Sequence, residues 1–435
     1  MSGTSTARWT EPSDTAFDRA RTSLSASAWQ PARTPAAIVR PTDADAVVDA
    51  VTRARHDGRR LAVRSGGHSL SWTHLVDGAV TLDLRELRSV ELDAATATAW
   101  VEPGVTVLEA ARALRAAGMS FPLGHAPTVG LGGYLLAGGN GWNTPVWGHG
   151  CERILAADVV LPDGTLARID AASDPDLLRA LRGAGSAFPA VVVAFRLQLV
   201  RGCPVVSRLT VAVDADRPDA LGAALDDVVA ASPPHVELTV YWHPGRADGE
   251  PPRALVSATA FGPDDALDAV RSAPFVTAPP DVVVVDSLAA LIETVPRHGG
   301  DGMFSHHTWT DAPFRAVLPA LPPLERGLSE CSSVLLTTSA RRADGAAPSD
   351  ALYVPRGSMS VSAYAHWDPA AQGHADAIGW ARRTIGALDP LSTGRYVGEA
   401  DLTRGAAALS DCFPPAELEA LLATTRRHDP DGVMA

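Results

Sequence analysis

Two glycine-rich stretches carry the residues best suited to chemistry. The first, Arg64-Ser65-Gly66-Gly67-His68-Ser69, follows the apolar run Leu61-Ala62-Val63. Adjacent glycines accept positive φ, so their amide N–H groups can converge on an anion. By itself this stretch also fits an ordinary turn carrying a solvated histidine. The second, residues 124–142 (GHAPTVGLGGYLLAGGNGW), holds seven glycines: Gly124, Gly130, Gly132, Gly133, Gly138, Gly139 and Gly141. Such a backbone can lie against a large flat or phosphorylated ligand. It lacks the strand–GxGxxG–helix spacing of a nicotinamide dinucleotide site and the GK[ST] of a phosphate loop. Together the loops point to a phosphate-bearing cofactor without saying which.

The rest of the composition narrows the chemistry. All 37 basic residues are arginine, which excludes Schiff-base, pyridoxal-phosphate and Walker-A sites, each of which needs a lysine amine. A net charge of −13 argues against nucleic acid. The N-terminal stretch lacks the pattern of a secretion signal, and no apolar run approaches the ~18 residues of a membrane span. Cys151, Cys203, Cys331 and Cys412 are scattered, as expected of reduced thiols in a cytoplasmic protein. His306-His307 invites a metal reading, but neighbours on a strand face opposite ways and no partner set accompanies them.

The elements that must position these loops alternate through the first 200 residues of a 435-residue chain. Thr42 or Asp43 caps an apolar helical pattern ending at Asp57-Gly58, and Thr106 opens a helix closed by Gly118. Leu61–Val63 and Val80–Leu84 read as strands, Ile154–Ile169 as a hairpin around Pro162-Asp163-Gly164, and Ala190–Val200 as a central strand. The texture changes near Arg201–Pro204. Beyond it, strands such as Val236–Trp242, Ala254–Ala260 and Ser360–Tyr364 alternate with helices. The expected class is α+β: a cofactor domain over 1–203, a substrate domain with an antiparallel sheet over 204–388, and a segment, 389–435, returning to the first domain.

RSGGHS followed by PTVGLGGYLLAGGNGW resembles the flavin domain of the vanillyl-alcohol oxidase / p-cresol methylhydroxylase (PCMH) superfamily, and within it the berberine-bridge-enzyme-like oxidoreductases. TPAAIVRP, LVDGAVTLDL, DVVLPDGTL, AYAHWD, GRYVGEADL and the terminal HDPDG extend the likeness in order along the chain. The resemblance implies FAD between two subdomains, covered by the substrate domain. Arg64, Ser65, Gly66 and Gly67 would hold the pyrophosphate through backbone N–H groups, with Ser69 also in the cofactor site and His68 bonded to the flavin 8α-methyl. Thr128, Val129, Gly130, Gly132 and Gly133, then Gly138, Gly139 and Gly141, would line the pyrophosphate and ring system. Tyr134 and Trp142 would lie near the flavin and Val191 near the adenine. Many relatives carry a second, cysteinyl link; Ala126 stands at that position, so a single link is expected, as in the 6-hydroxynicotine-oxidase-like members.

The same resemblance implies an oxidase that takes hydride from a CH–OH or CH–NH carbon of a small organic substrate and passes electrons to molecular oxygen. A redox-neutral cyclase or isomerase, and a flavoprotein that only sequesters a ligand, are the alternatives. A base is needed for an O–H proton. Tyr396, Glu399 and Tyr364 are the candidates, with His125 and Tyr134 beside them. A tyrosine serves as base only if neighbours such as Arg356 lower its pKa; Glu399 is basic at neutral pH already. His307 is a further residue in reach of the pocket.

Overall fold

The computed structural model describes residues 7–245, 249, 251–296, 299–324, 328–338, 350–370 and 373–435. Local sequence dictates the framework helices. Asp43 accepts the Ala46 amide and starts α2 (Ala44–His56), which buries Val47, Ala50, Val51 and Ala54. Thr106 and Glu109 form a reciprocal capping box at the start of α3 (Val107–Ala116). Two shorter helices matter below, α1 (Phe17–Thr22) and α4 (Leu131–Leu136).

Three sheets carry the chain. The first is β1 (Arg8–Thr10), β2 (Ala37–Arg40), β4 (Val80–Asp83) and β3 (Leu61–Arg64) in that order. β2, β4 and β3 are parallel; β1 closes the edge antiparallel. β4 stops at Asp83 rather than running on through Leu84, because Asp83 turns to bind arginines and residues 84–86 coil into a 3-10 turn. The second sheet is antiparallel, ordered β5 (Val90–Asp93), β6 (Thr98–Val101), β10 (Val191–Gln198), β8 (Ile154–Val160) and β9 (Leu166–Asp170). β7 (Met119–Ser120) and β11 (Val200–Arg201) pair beside it.

The sheet changes after β11, and eight antiparallel strands follow. Their order is β15 (Asp281–Val285), β12 (Val206–Asp214), β14 (Arg253–Ala260), β13 (Val236–His243), β17 (Ser333–Thr337), β18 (Met359–Trp367), β16 (Gly302–Thr310) and β19 (Ser392–Gly394). β19 lies past residue 388, so this sheet extends into the C-terminal segment, which then returns to bridge Leu61 at Met434.

Period-2 alternation gives the large sheet two different faces. Leu238, Val240 and Trp242 of β13, with Val361, Ala363 and Ala365 of β18, pack with Trp380 and Leu225 into one hydrophobic core. Glu237, Thr239, Ser360 and Ser362 alternate with them and are also buried, so they face the other way, toward the glycine-rich loops. The architecture is α+β. No helix among the described residues is long and apolar enough to cross a membrane.

Candidate active site

The first loop is held from behind by Arg64. Its guanidinium donates to the carbonyls of Leu24 (3.1 Å), Ser65 (2.6 Å) and Gly66 (3.1 Å) and to Asp83 (3.1 Å). A trans peptide points its C=O and N–H in opposite directions, so the Gly66 and Gly67 amides face away from Arg64. Arg64 therefore shapes the loop from the rear. Gly67 sits at φ +74°, where a Cβ would strike the Leu24 carbonyl.

The second loop meets the first backbone to backbone. A Cβ on Gly66 would fall on the Gly130 amide nitrogen, and one on Gly130 would lie 2.6 Å from the Ser65 hydroxyl. A Cβ on Gly132 would lie 2.8 Å from Pro103, whereas one on Gly133 would meet nothing within 4 Å. Val129 lends its carbonyl to the Val107 amide (2.9 Å), tying this loop to the start of α3. His68 Nε2 and Thr128 Oγ1 are 3.0 Å apart and bridge the loops. Burial, and then the Arg64 charge, pushes the His68 pKa down to about 4, so the imidazole is neutral at pH 7. Ser69 turns away to Thr73 (3.1 Å). Val191 packs its side chain into the core beside α2.

Gly138, Gly139 and Gly141 show close packing where a phosphate cradle was expected. Added Cβ atoms would meet the Tyr353 ring, Gly150 and the Leu123 carbonyl, respectively. Tyr134 differs from expectation as well. Its buried hydroxyl lies 2.5 Å from the Pro122 carbonyl and 3.0 Å from that of Gly139, and burial pushes its pKa up. Its proton is committed to the backbone, so it serves as a strut of the loop.

The catalytic candidates gather under the polar face of the large sheet. Ser362 donates to Glu399 Oε2 at 2.5 Å, and the Tyr364 hydroxyl bonds the same carboxylate. Burial raises the Glu399 pKa against these hydrogen bonds and the charge of His125. Burial, then the Glu399 charge, lifts Tyr364 and Tyr396 above the usual phenol value. The Asn140 and Gly139 amides facing Tyr396 oppose that rise without reversing it. Arg356 packs on Gly394 and reaches the Asp411 carbonyl instead of a phenol. Desolvation thus opposes a tyrosinate at Tyr364 or Tyr396, and Glu399 is the one carboxylate in this cluster.

His125 Nε2 lies 2.7 Å from Glu237 Oε1, joining the glycine-rich loop to the substrate sheet. Its ring leans on Trp142, with centroids 4.2 Å apart. Two buried polar atoms beside this pair, Glu237 Oε2 and Trp142 Nε1, have no hydrogen-bond partner among the described residues. Buried polar groups left unpaired cost about 1–3 kcal/mol each, so a polar ligand group meeting Glu237 Oε2 would offset that cost.

Sequence reasoning overlooked the clamp that presents Tyr396 and Glu399. His307 is fully buried and its Nδ1 accepts the Tyr396 amide (2.9 Å), so Nε2 carries the proton given to Ser360 (3.0 Å). It holds backbone and does not reach the pocket. His306, on the opposite face of β16, accepts the Asp401 amide (3.1 Å). Ser71 donates to the Ala400 carbonyl and accepts from Leu402, linking the same segment to the chain just beyond His68. No group of metal-binding side chains occurs among the described residues. The clue available was period-2 alternation, which puts Glu237, Ser362 and Tyr364 on one face.

Acid should loosen this clamp. Burial, and then nearby arginines, lowers His306 to about 4, and burial lowers His74 to about 3, against 6.5 when unfolded. The unfolded chain therefore binds more protons below pH 6.5, so stability falls as pH drops from 6.5 toward 4. Urea midpoints at pH 7 and pH 5 are expected to show that loss, with a smaller slope in His306→Gln. An unchanged slope would remove His306 from the account.

Residues 35–170 match an FAD-binding domain, so the two loops belong to a flavoprotein. The fold is that of 6-hydroxy-D-nicotine oxidase from Arthrobacter nicotinovorans, with a TM-score of 0.85, 24% identity, and 99% of this chain and 97% of that one covered. A berberine bridge enzyme variant in complex with (S)-reticuline superposes with a TM-score of 0.83 at 18% identity, covering 99% and 95%. An FAD-linked oxidoreductase of Penicillium janthinellum, janO, is 40% identical over 181 residues, 42% of this chain and 40% of that protein. The chain spans about half, or less, of the length of the curated relatives it matches. Its fold is that of the 6-hydroxy-D-nicotine oxidase and berberine bridge enzyme structures, and it carries an FAD-binding domain over residues 35–170.

The residues present fit FAD. The paired loops leave free space over Gly133, present the Gly66 and Gly67 amides, and set a neutral histidine beside them. The cysteinyl position is Ala126.

Proposed function

We propose that the protein is an FAD-dependent oxidase that converts a CH–OH or CH–NH carbon of a small organic substrate to the C=O or C=N level, with FAD joined through His68 alone. The observation that carries this reading is the Glu399–Ser362–Tyr364 cluster lying within the electrostatic reach of His125, on the loop that meets the His68 loop. Bound FAD supplies the two-electron acceptor that molecular oxygen can recharge. The chain supplies the rest. Glu399 takes the substrate O–H or N–H proton, with its raised pKa making it a stronger base than an ordinary carboxylate. Ser362 and Tyr364 fix which oxygen faces the substrate, and the large sheet excludes water. Tyr396, through the Gly139 and Asn140 amides, holds the glycine-rich loop at its working distance. Glu237, on the same sheet face and paired with His125, offers the substrate an acceptor in its second carboxylate oxygen.

Acid precipitation tests the linkage. The yellow chromophore is expected to stay with the precipitated parent chain and to leave His68→Ala in the supernatant. Complete release from the parent would refute the covalent bond. Anaerobic mixing with a turned-over substrate tests the redox claim, since product without bleaching would make the protein a cyclase or isomerase.

A further inference from the structure

We propose that a second cavity, away from the loops described above, is a binding site for a small, multiply charged oxyanion: a phosphate ester or a polycarboxylate. The cavity holds about 400 Å³ and lies between β1, α1 and the carboxyl ends of β2 and β4. Arg8, Thr10, Arg19, Ser23, Arg40 and Arg85 line it. That volume suits a small organic ligand.

Charge is strongly unbalanced there. Asp83 is fully buried and is the shared partner of Arg40 (2.8 Å), Arg85 (2.7 Å) and Arg64 (3.1 Å). Arg40 and Arg85 also bind the Ser23 hydroxyl and carbonyl, so both guanidiniums are fixed through Nε and Nη2, while Nη1 of each stays unused. Arg8 and Arg19 are exposed and have no ion-pair partner among the described residues. Four guanidiniums thus line a cavity whose lining, among the described residues, includes no carboxylate, in a chain whose net charge is −13. Neutral or cationic ligands are disfavoured by that excess. Planar guanidinium forks match the paired oxygens of phosphate and carboxylate, and the two immobilised arginines lose little further entropy on binding. Thr10 and Ser23 add hydroxyls that suit the same oxygens.

The site is distinct from the flavin loops. The Arg64 side chain and the Leu24 carbonyl it binds stand between Asp83 and the Ser65–Gly67 backbone. Calorimetric titration of the flavin-loaded protein tests the assignment, using inorganic phosphate and citrate at ionic strength matched with chloride. Saturable binding of one or both is expected, and the tighter of the two identifies a phosphate or a polycarboxylate ligand. The Arg8→Ala/Arg19→Ala double variant, which touches only exposed side chains, should bind about tenfold or more weakly, and Arg60→Ala should not differ from the parent. No saturable heat with either anion, or equal binding in the double variant, overturns the proposal. Binding confined to flavin-free protein also overturns it, by giving the cavity to the flavin's own phosphates.

Discussion

Glu399→Gln is expected to lower kcat about 10²- to 10⁴-fold, the usual contribution of a positioned general base, while flavin content stays that of the parent. The variant keeps the shape of the side chain and one acceptor for Ser362. Folding offers no alternative explanation. A carboxyl whose pKa is raised by burial favours its neutral form in the folded state, so the ionised group costs stability at pH 7, and Gln removes that cost. The variant is therefore expected to be at least as stable as the parent. The decisive reading is the pH profile. In the parent, kcat rises as Glu399 loses its proton, at a pH above the ordinary carboxylate range. That limb should be absent from Glu399→Gln and present in Tyr396→Phe. A limb that persists in Glu399→Gln would move the base elsewhere, with the His125–Glu237 pair next in line.

The sequence is informative where backbone chemistry decides the outcome. Glycines that must touch another backbone, such as Gly66 and Gly130, have no substitute, so they stand out from composition alone. The helix starts at Asp43 and Thr106 were legible for a similar reason, because each cap satisfies amides through one local side chain. What sequence did not reveal is the partner a side chain finds across the fold. Tyr134, Tyr364 and Tyr396 look alike as candidates, yet one donates to backbone carbonyls, one to a carboxylate, and one faces two amides. His307 lies 89 residues from the amide it accepts, and Glu237 lies 112 residues from His125. Desolvation is equally invisible in one dimension. It holds the Tyr364 and Tyr396 phenols above their usual pKa, the opposite of what a tyrosinate base would need.

Gly66→Ala and Gly133→Ala separate two reasons for a glycine in the cofactor loops. At Gly66 the added methyl would overlap the Gly130 amide nitrogen and lie 2.7 Å from its Cα, so only backbone could yield. Neither loop is free to do so. Arg64 pins one, and the Leu131–Val105 (2.8 Å) and Val107–Val129 (2.9 Å) hydrogen bonds pin the other. Overpacking of this kind costs about 1–3 kcal/mol, so Gly66→Ala should lower the urea midpoint and reduce flavin content together. Gly133 is exposed within α4, and its methyl would meet no protein atom within 4 Å. A helical Gly→Ala change there should stabilise the flavin-free protein by about 0.5–1 kcal/mol. Flavin content should nonetheless fall, because the methyl occupies the space that the proposed function gives to the cofactor. Absorbance at the flavin band against protein concentration, alongside urea unfolding of flavin-free material, reads both effects. A Gly133→Ala protein that is stabilised and fully loaded with flavin would show that the cofactor lies elsewhere along the loop. One that gains stability and loses flavin would separate the packing role of Gly66 from the binding role of Gly133.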